Sequence, residues 1–248
     1  MAGHSQFANI KHRKGAQDAR RAKLFTKLQR EITVATKLGN PDPNFNARLR
    51  NAIIAARSCN MPKDRIDTAI KKASGAAEGD NYEEIRYEGY GNGGIAFIVE
   101  ALTDNRNRTA GEVRSLFTKS GGSLGETGSV GFMFDHIGLI EYEGNVATEE
   151  TMFEIALEAG ASEVESSPEW HSIICSTDDF SVVRDKLIEK FGDPKTARLS
   201  WRAKDHITLN LEQAQKISKL VDALEDNDDV QSVSGNYFIP DDVLEKLE

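Results

Sequence analysis

The spacing of apolar residues in this chain changes between Gly75 and Tyr82. Up to Gly75 they recur every three or four positions, as on one face of an α-helix, and from Tyr82 they alternate, as in β-strands. A helical part followed by a strand-containing part favours the α+β class. The segment between them, Ser74 to Asp80 (SGAAEGD), has the composition of a flexible linker and predicts a domain boundary.

Three helices are predicted before this linker. The first covers residues 17–38, the second ends near Ser58, and the third follows Asn60-Met61-Pro62 and ends at Gly75, a common residue just past a helix. Together they predict a small helical domain with short connections.

The start of the second helix is predicted from the helix-breaking residues that precede it. Gly39 and the run Asn40-Pro41-Asp42-Pro43 interrupt the first helix. Asp42 is the expected N-cap, and Pro43 would take the first helical position. Phe45 would then lie on the inward side of the second helix.

The remainder of the chain predicts two α/β domains. From residue 137 the predicted order is strand, helix, strand, strand, helix, strand, which is the βαββαβ order of a ferredoxin-like antiparallel sheet. Two strands and a helix precede it, together with a glycine-rich loop at 121–128 and a short strand at 129–134. We therefore predict an α+β protein whose third, ferredoxin-like domain is inserted into the second, with the domains at 1–75, 80–134 plus 206–248, and 135–205.

The net charge of −9 conceals a strong partition. Residues 1–75 hold 16 Lys and Arg against 5 Asp and Glu, a net charge of +11, and the remainder holds 15 against 35, a net charge of −20. Such asymmetry indicates a basic part that meets a polyanion and an acidic part that is repelled by it.

The predicted nucleic-acid contacts are the basic residues of the first domain and two arginines near residue 105. They are Lys11, His12, Arg13, Lys14, Arg20, Arg21, Lys23, Lys27, Arg30, Lys63, Arg65, Lys71, Lys72, Arg106 and Arg108. A basic helix face and its flanking loop can neutralise several phosphates at once, although such a face can also be ordinary soluble surface. For Arg106 and Arg108, a helix start capped by Asp104 or Asn105 is an equally good interpretation.

Sequence motifs for catalysis or cofactors do not form a consistent site. Gly89, Gly91 and Gly94 match G-x-G-x-x-G, but a second strand follows them, so a hairpin turn is favoured over a dinucleotide site. The five histidines lack metal-ligand spacing, and the acidic run 225–229 lacks the glycine and glutamate of a calcium loop. Cys59 and Cys175 predict reduced, buried thiols. We expect no cofactor, no metal and no enzymatic activity.

Four stretches carry a family resemblance: GHSQFANIKHRKGAQDARRAKLF, NMPKDRIDTAIKKASG, YEGYGNGGIAFIVEALTDNRNRTAGEVR and LEDNDDVQSV. In them the chain resembles the YebC/PmpR family, whose mitochondrial relatives include the translational activator of cytochrome c oxidase subunit I. The resemblance implies a helical N-terminal domain followed by two α/β domains, the third inserted into the second. One departure is Gln6-Phe7, where family members often carry Lys-Trp.

The resemblance implies a regulator that binds nucleic acid, and two hypotheses follow. The first is a DNA-binding regulator of transcription, and the second is a ribosome-associated translation factor that binds ribosomal or messenger RNA. A third hypothesis is an enzyme that uses Arg106, Arg108 and the 121–128 loop as an anion pocket. A protein partner is expected for the acidic domains, and a cytoplasmic location is expected because no export signal, import signal or membrane span is apparent.

Overall fold

The computed structural model describes residues 17–75 and 82–247, and it describes the side chains of the first helix from Ala22 onward. The helices of this part are α1 Gln17–Leu38, α2 Ala47–Ser58, α3 Lys63–Gly75, α4 Arg106–Lys119, α5 Glu149–Ala159, α6 Phe180–Phe191, α7 Leu211–Glu225 and α8 Asp241–Leu244. Its strands are β1 Glu83–Tyr90, β2 Ala96–Thr103, β3 Ser123–Leu124, β4 Phe134–Glu143, β5 Glu163–Ser166, β6 Trp170–Cys175, β7 Thr196–Ala203, β8 Ile207–Thr208, β9 Val230–Gly235 and β10 Tyr237–Phe238.

The predicted α+β class is confirmed. One sheet has the strand order β3-β1-β2-β9, and the antiparallel pairing of β1 with β2 extends along the full length of both strands. A second sheet has the order β5-β6-β4-β7, and β8 and β10 form a short parallel pair. The elements β4-α5-β5-β6-α6-β7, arranged in that second strand order, form the predicted ferredoxin-like βαββαβ motif.

The described backbone divides into two compact units. One, which we call the ferredoxin-like unit, contains residues 28–75 and 136–200; the other, the β1–β2 unit, contains residues 17–27, 82–135 and 201–247. The division falls within α1, between Lys27 and Leu28. The three-domain boundaries derived from the sequence stay a prediction.

The β1–β2 unit is built around the sheet that contains these two strands. One face packs against α4 and α7, where the Phe97 ring meets Phe117 edge-on at a centroid distance of 6.0 Å and lies 5.9 Å from the Tyr237 ring. The opposite face is covered by Val130 and Phe134. The sheet therefore has apolar contacts on both faces, which explains the nearly continuous burial of β2.

The ferredoxin-like unit has its own core. Ile140 of β4, Met152 of α5 and Leu187 of α6 are completely buried, and Ile54 of α2 belongs to the same apolar cluster. The guanidinium of Arg184, a fully buried side chain, donates to the Asn51 side chain and to Asp185, so a polar connection accompanies this apolar contact.

The prediction that Asp42 caps α2 is wrong. The N-cap is Asn46, whose side-chain oxygen accepts from the backbone N–H of Leu49 at 3.0 Å and whose Nδ2 donates to the carbonyl of Ala35 at 2.7 Å. Asp42 instead accepts from Asn44 N–H inside the preceding turn. Because the helix begins four residues later than predicted, Phe45 is not inward-facing but 78% exposed.

The predictions for residues 121–134 are also partly wrong. Ser123 and Leu124 form a short strand that pairs with Tyr90 and Gly89 of β1. Residues 131–133 form a 3₁₀ turn in place of the predicted strand, and β4 begins at Phe134. The reason lies in the Glu88 carboxylate, which accepts backbone N–H groups at the start of this turn and diverts them from strand pairing.

Two further expectations concern cysteines and membranes. Cys175 is buried and Cys59 is half-buried, so the predicted burial applies fully to Cys175 alone. That both thiols are reduced stays a prediction. Among the described helices, no segment has both the length and the apolar character needed to cross a membrane.

Candidate nucleic-acid interface

Several predicted contacts lie outside the described residues. Lys11, His12, Arg13 and Lys14 precede the first described position, and Arg20 and Arg21 belong to α1 at positions where only the backbone is described. Their role in binding phosphate stays a prediction.

Lys23 and Lys27 contact the C-terminal end of α7. Lys23 Nζ lies 2.5 Å from Asp226 Oδ1 and donates to the Asp226 carbonyl at 3.1 Å, and Lys27 Nζ donates to the Glu225 carbonyl at 2.6 Å. The two lysines are one helical turn apart, so both reach the same helix end. The last carbonyls of a helix lack intrahelical donors and carry partial negative charge. The two ammonium groups donate hydrogen bonds to these carbonyls and place positive charge at this negative helix end.

This arrangement joins basic residues of the first domain to acidic residues near the end of the chain, and the role of Lys23 and Lys27 in binding phosphate stays a prediction. We expected the basic face to stand apart from the acidic residues of the later domains, but Lys23 and Lys27 are bound to the acidic run at 225–229. Burial lowers the pKa of Lys27, and the neighbouring carboxylates of Glu225, Asp228 and Asp226 oppose that effect without cancelling it. Opposite charges placed within one compact unit attract each other as readily as they attract an external polyanion.

Arg108 serves an internal network. Its Nη2 donates to Asp229 Oδ2 at 2.6 Å and to Asp104 Oδ1 at 2.8 Å, and these hydrogen bonds to the two carboxylates raise the pKa of Arg108. The same Asp229 oxygen accepts from the hydroxyls of Thr103 and Thr109. This network ties the start of α4 to the residue that precedes β9.

Arg106 differs from Arg108 in its surroundings. The Arg106 side chain is exposed and, within the described residues, forms no ion pair. The start of α4 is capped by Asn105, which precedes Arg106 and whose side chain accepts from the backbone N–H of Arg108 at 3.0 Å. The capped-turn interpretation is therefore confirmed for Asn105. Both side chains are exposed, but that of Arg108 is held by Asp104 and Asp229, so Arg106 is the more accessible of the two to a ligand.

Exposed cations are concentrated on α3. Lys63, Arg65, Lys71 and Lys72 are all exposed there, and within the part of the chain that the structure describes, Lys63, Lys71 and Lys72 form no ion pair. Arg30, the remaining predicted contact, is partly exposed on α1.

The arginines of α2 are held by carboxylates of the same unit. Arg48 makes a bidentate contact with Glu31 at 2.6 and 2.9 Å, and Arg50 Nη1 donates to Asp185 at 2.7 Å. These pairs explain why α2 adds less open positive surface than its sequence indicates.

Phe45, which the sequence predicted to face inward, is an exposed aromatic residue. Phe45 lies in a turn that Arg50 stabilises by donating to the carbonyls of Pro43 at 3.1 Å and Asn44 at 2.9 Å. The flanking prolines and asparagines predicted a turn, but they did not indicate that Phe45 would be presented outward.

The third, enzymatic hypothesis finds little support in this geometry. Arg108 is occupied by Asp229, and Gly122 and Gly125 donate backbone hydrogen bonds to Phe117 and Glu88, which hold the 121–128 loop in place. Gly91 N–H donates to the Ile95 carbonyl at 2.7 Å, so the glycines near residue 91 form the predicted hairpin turn. Over the described residues, no group of His, Cys, Asp and Glu side chains is arranged to hold a metal ion.

The chain matches two protein-family models and a solved structure. A family model described as "TACO1/YebC protein N-terminal domain" matches residues 5–76, and one described as "TACO1/YebC second and third domain" matches residues 82–237. Among solved structures, a conserved hypothetical protein, Aq1575 from Aquifex aeolicus, is 46% identical over 94% of this chain and 96% of its own, with a TM-score of 0.84.

Proposed function

This chain belongs to the TACO1/YebC family, and from that premise we propose that it is a non-enzymatic regulator of gene expression that binds nucleic acid through its N-terminal helical region. The model that matches residues 82–237 carries the name Transcrip_reg, so at the family level the chain is a nucleic-acid-related regulator. DNA is the first candidate target, and transcription the first candidate process.

The observation that supports this surface most directly is the set of exposed cations on α3. Lys71 and Lys72 follow one another near the end of the helix, and Lys63 stands at its start. Lysines of this kind contact phosphate oxygens and position a protein on nucleic acid, but they do not distinguish one base from another. Sequence preference would then come from nucleic-acid shape or from another part of the chain.

A second candidate target is RNA, as expected of a translation factor that binds ribosomal or messenger RNA. The observation that favours it is Phe45, which is 78% exposed on a turn fastened by Arg50. Unstacked bases of single-stranded RNA stack on such aromatic rings, whereas bases inside a DNA duplex do not reach them.

Crosslinking in cells followed by sequencing of the bound nucleic acid separates the two targets. Recovery of promoter DNA supports regulation of transcription, and recovery of ribosomal or messenger RNA supports regulation of translation. If neither promoter DNA nor ribosomal or messenger RNA is recovered, the proposal is contradicted. A cytoplasmic location and the absence of a cofactor remain predictions.

A charge reversal tests whether α3 forms the contact surface. We expect the triple variant Lys63→Glu, Lys71→Glu, Lys72→Glu to lose most of its affinity for the recovered nucleic acid. The matched control, Lys119→Glu, Lys190→Glu, Lys219→Glu, changes the net charge equally at exposed helical positions outside the first domain. Equal losses in both variants would show a general charge effect and would remove the assignment to α3.

A further inference from the structure

The exposed face of α5 combines apolar and acidic side chains. Phe153 is 48% exposed and Leu157, one turn later, is 43% exposed. Glu150, Glu154 and Glu158 form a neighbouring row at the same helical spacing. A pair of large apolar side chains left open beside a row of carboxylates is typical of a binding surface rather than of solvated helix.

A groove lies beside this face. It has a volume of about 380 Å³ and is lined by Glu149, Glu150 and Phe153 of α5 and by Val164 and Ser166 of β5. In the sheet order β5-β6-β4-β7, β5 is an edge strand of the described residues. An edge strand presents backbone N–H and C=O groups on its outer side, and a partner segment can add to it as a further strand.

The sign of the charge identifies the kind of partner. Between Gly144 and Trp170 the sequence contains seven glutamates and no aspartate, lysine or arginine, so this segment alone carries a net charge of −7. Within the described residues, Glu149, Glu150, Glu154 and Glu158 form no ion pair. A nucleic acid would be repelled here, whereas a basic partner would be attracted.

We propose that the groove between α5 and β5 binds an extended, lysine- or arginine-rich protein segment that pairs with the β5 edge and inserts an apolar side chain beside Phe153. Backbone pairing and the apolar insertion supply affinity, and the glutamates select basic sequences. This surface is separate from the cationic surface of α3, so the inference is independent of the proposed function.

The test uses the full-length protein and fluorescein-labelled peptides of about nine residues, a length that can span one edge strand. The first probe alternates lysine with leucine or phenylalanine, the second alternates lysine with serine, and the third alternates glutamate with leucine. We expect the first probe to bind and both others to bind at least about tenfold more weakly, because each lacks one of the two required features. Equal binding of the lysine–serine peptide would overturn the apolar insertion.

Surface variants place the binding site. Phe153→Ser with Leu157→Ser is expected to weaken binding of the first probe by about tenfold or more. Val182→Ser is the matched control, because Val182 is 54% exposed on α6 of the same unit. Both variants are expected to melt like the unmodified protein, since they change exposed side chains. An equal effect of the control would contradict the proposal.

Two further measurements test the partner's charge and its mode of binding. Glu150→Lys with Glu154→Lys should abolish binding of the first probe, whereas Glu126→Lys with Glu245→Lys, at exposed sites elsewhere, should leave it unchanged. A version of the probe with every backbone nitrogen methylated has no N–H donor on either edge, so it cannot form a strand ladder with β5 and should not bind. If that version binds normally, or if sedimentation reveals a dimer that Phe153→Ser with Leu157→Ser dissociates, strand addition by a basic partner is overturned.

Discussion

The ammonium group of Lys23 lies 2.5 Å from a carboxylate oxygen of Asp226. Together with the neighbouring bond from Lys27 to the Glu225 carbonyl, this contact stabilises the C-terminal end of α7 with residues that the sequence assigned to nucleic acid. A phosphate would have to displace the protein's own acceptors to reach either lysine. The basic residues of the first domain are therefore unequal candidates for binding.

Replacing Lys71 and Lys72 with alanine is expected to flatten the salt dependence of nucleic-acid binding. Each phosphate contact contributes about 0.9 to the log–log slope on duplex DNA, so two lost contacts reduce its magnitude by about 2. Lys23→Ala with Lys27→Ala is expected to change the slope by less than about 1 and to destabilise the protein by roughly 1 kcal/mol. Fluorescence anisotropy at several salt concentrations and urea unfolding measure the two effects. Equal slope changes would contradict this ranking.

Arg106 and Arg108 are expected to have different roles. Arg108→Ala should lower the urea midpoint, because it removes a charged donor from Asp229, whose side chain is only 4% exposed. Arg106→Ala should leave the midpoint unchanged and weaken nucleic-acid binding, because its exposed side chain forms no ion pair within the described residues. Loss of binding by Arg108→Ala at full stability would show that Arg108 contacts the ligand after all.

Glu88 is expected to make the β1–β2 unit sensitive to acid. Burial would raise the pKa of this carboxyl, but three backbone N–H groups, including those of Val130 at 2.9 Å and Gly131 at 2.8 Å, outweigh burial and lower the pKa below the ordinary value of 4.5. Because the folded-state pKa is below the unfolded one, the stabilisation is fully present above about pH 4.5 and is lost as the pH falls through the folded-state pKa.

Glu88→Gln should therefore destabilise the protein by about 2 kcal/mol at pH 7, and the difference should shrink below pH 4.5. The chain has two tryptophans, so in a Trp170→Phe background the fluorescence of Trp201 follows unfolding of the unit that contains Glu88. Glu126→Gln, at an exposed position, serves as the control. A difference that stays constant with pH would show that Glu88 is not the titrating group.

The N-cap of α2 provides a test of local structure. Asn46→Ala is expected to cost about 2 kcal/mol, because it removes the cap and leaves the Ala35 carbonyl without its side-chain donor. Asp42→Ala is expected to cost less than about 1 kcal/mol, because Asp42 accepts only within the preceding turn. The unfolding midpoints of the two variants show which residue caps α2. A larger loss of stability for Asp42→Ala would favour Asp42 as the N-cap.

Periodicity and punctuation predicted most elements within a few residues. The bounds of α1 and α3 agree with their sequence patterns, and the βαββαβ order predicted the ferredoxin-like sheet. Predictions from neighbouring residues failed where a side chain distant in the sequence bound the same backbone groups or carbonyls. Asn46, and not Asp42, is the N-cap of α2, because the Asn46 amide also donates to the Ala35 carbonyl. The Glu88 carboxylate accepts the backbone N–H groups of residues 130 and 131, so these groups do not pair in a strand.

The sequence by itself determined the α+β class, the partition of charge and the family, because these depend on composition, spacing and motifs along the chain. Tertiary structure decided which cations remain open. Lys23, Lys27 and Arg108 meet carboxylates or carbonyls far away in the sequence, whereas Lys71 and Lys72 remain exposed. Charge counting cannot separate these groups, since Coulomb attraction and desolvation depend on distances and burial that exist only after the chain has folded.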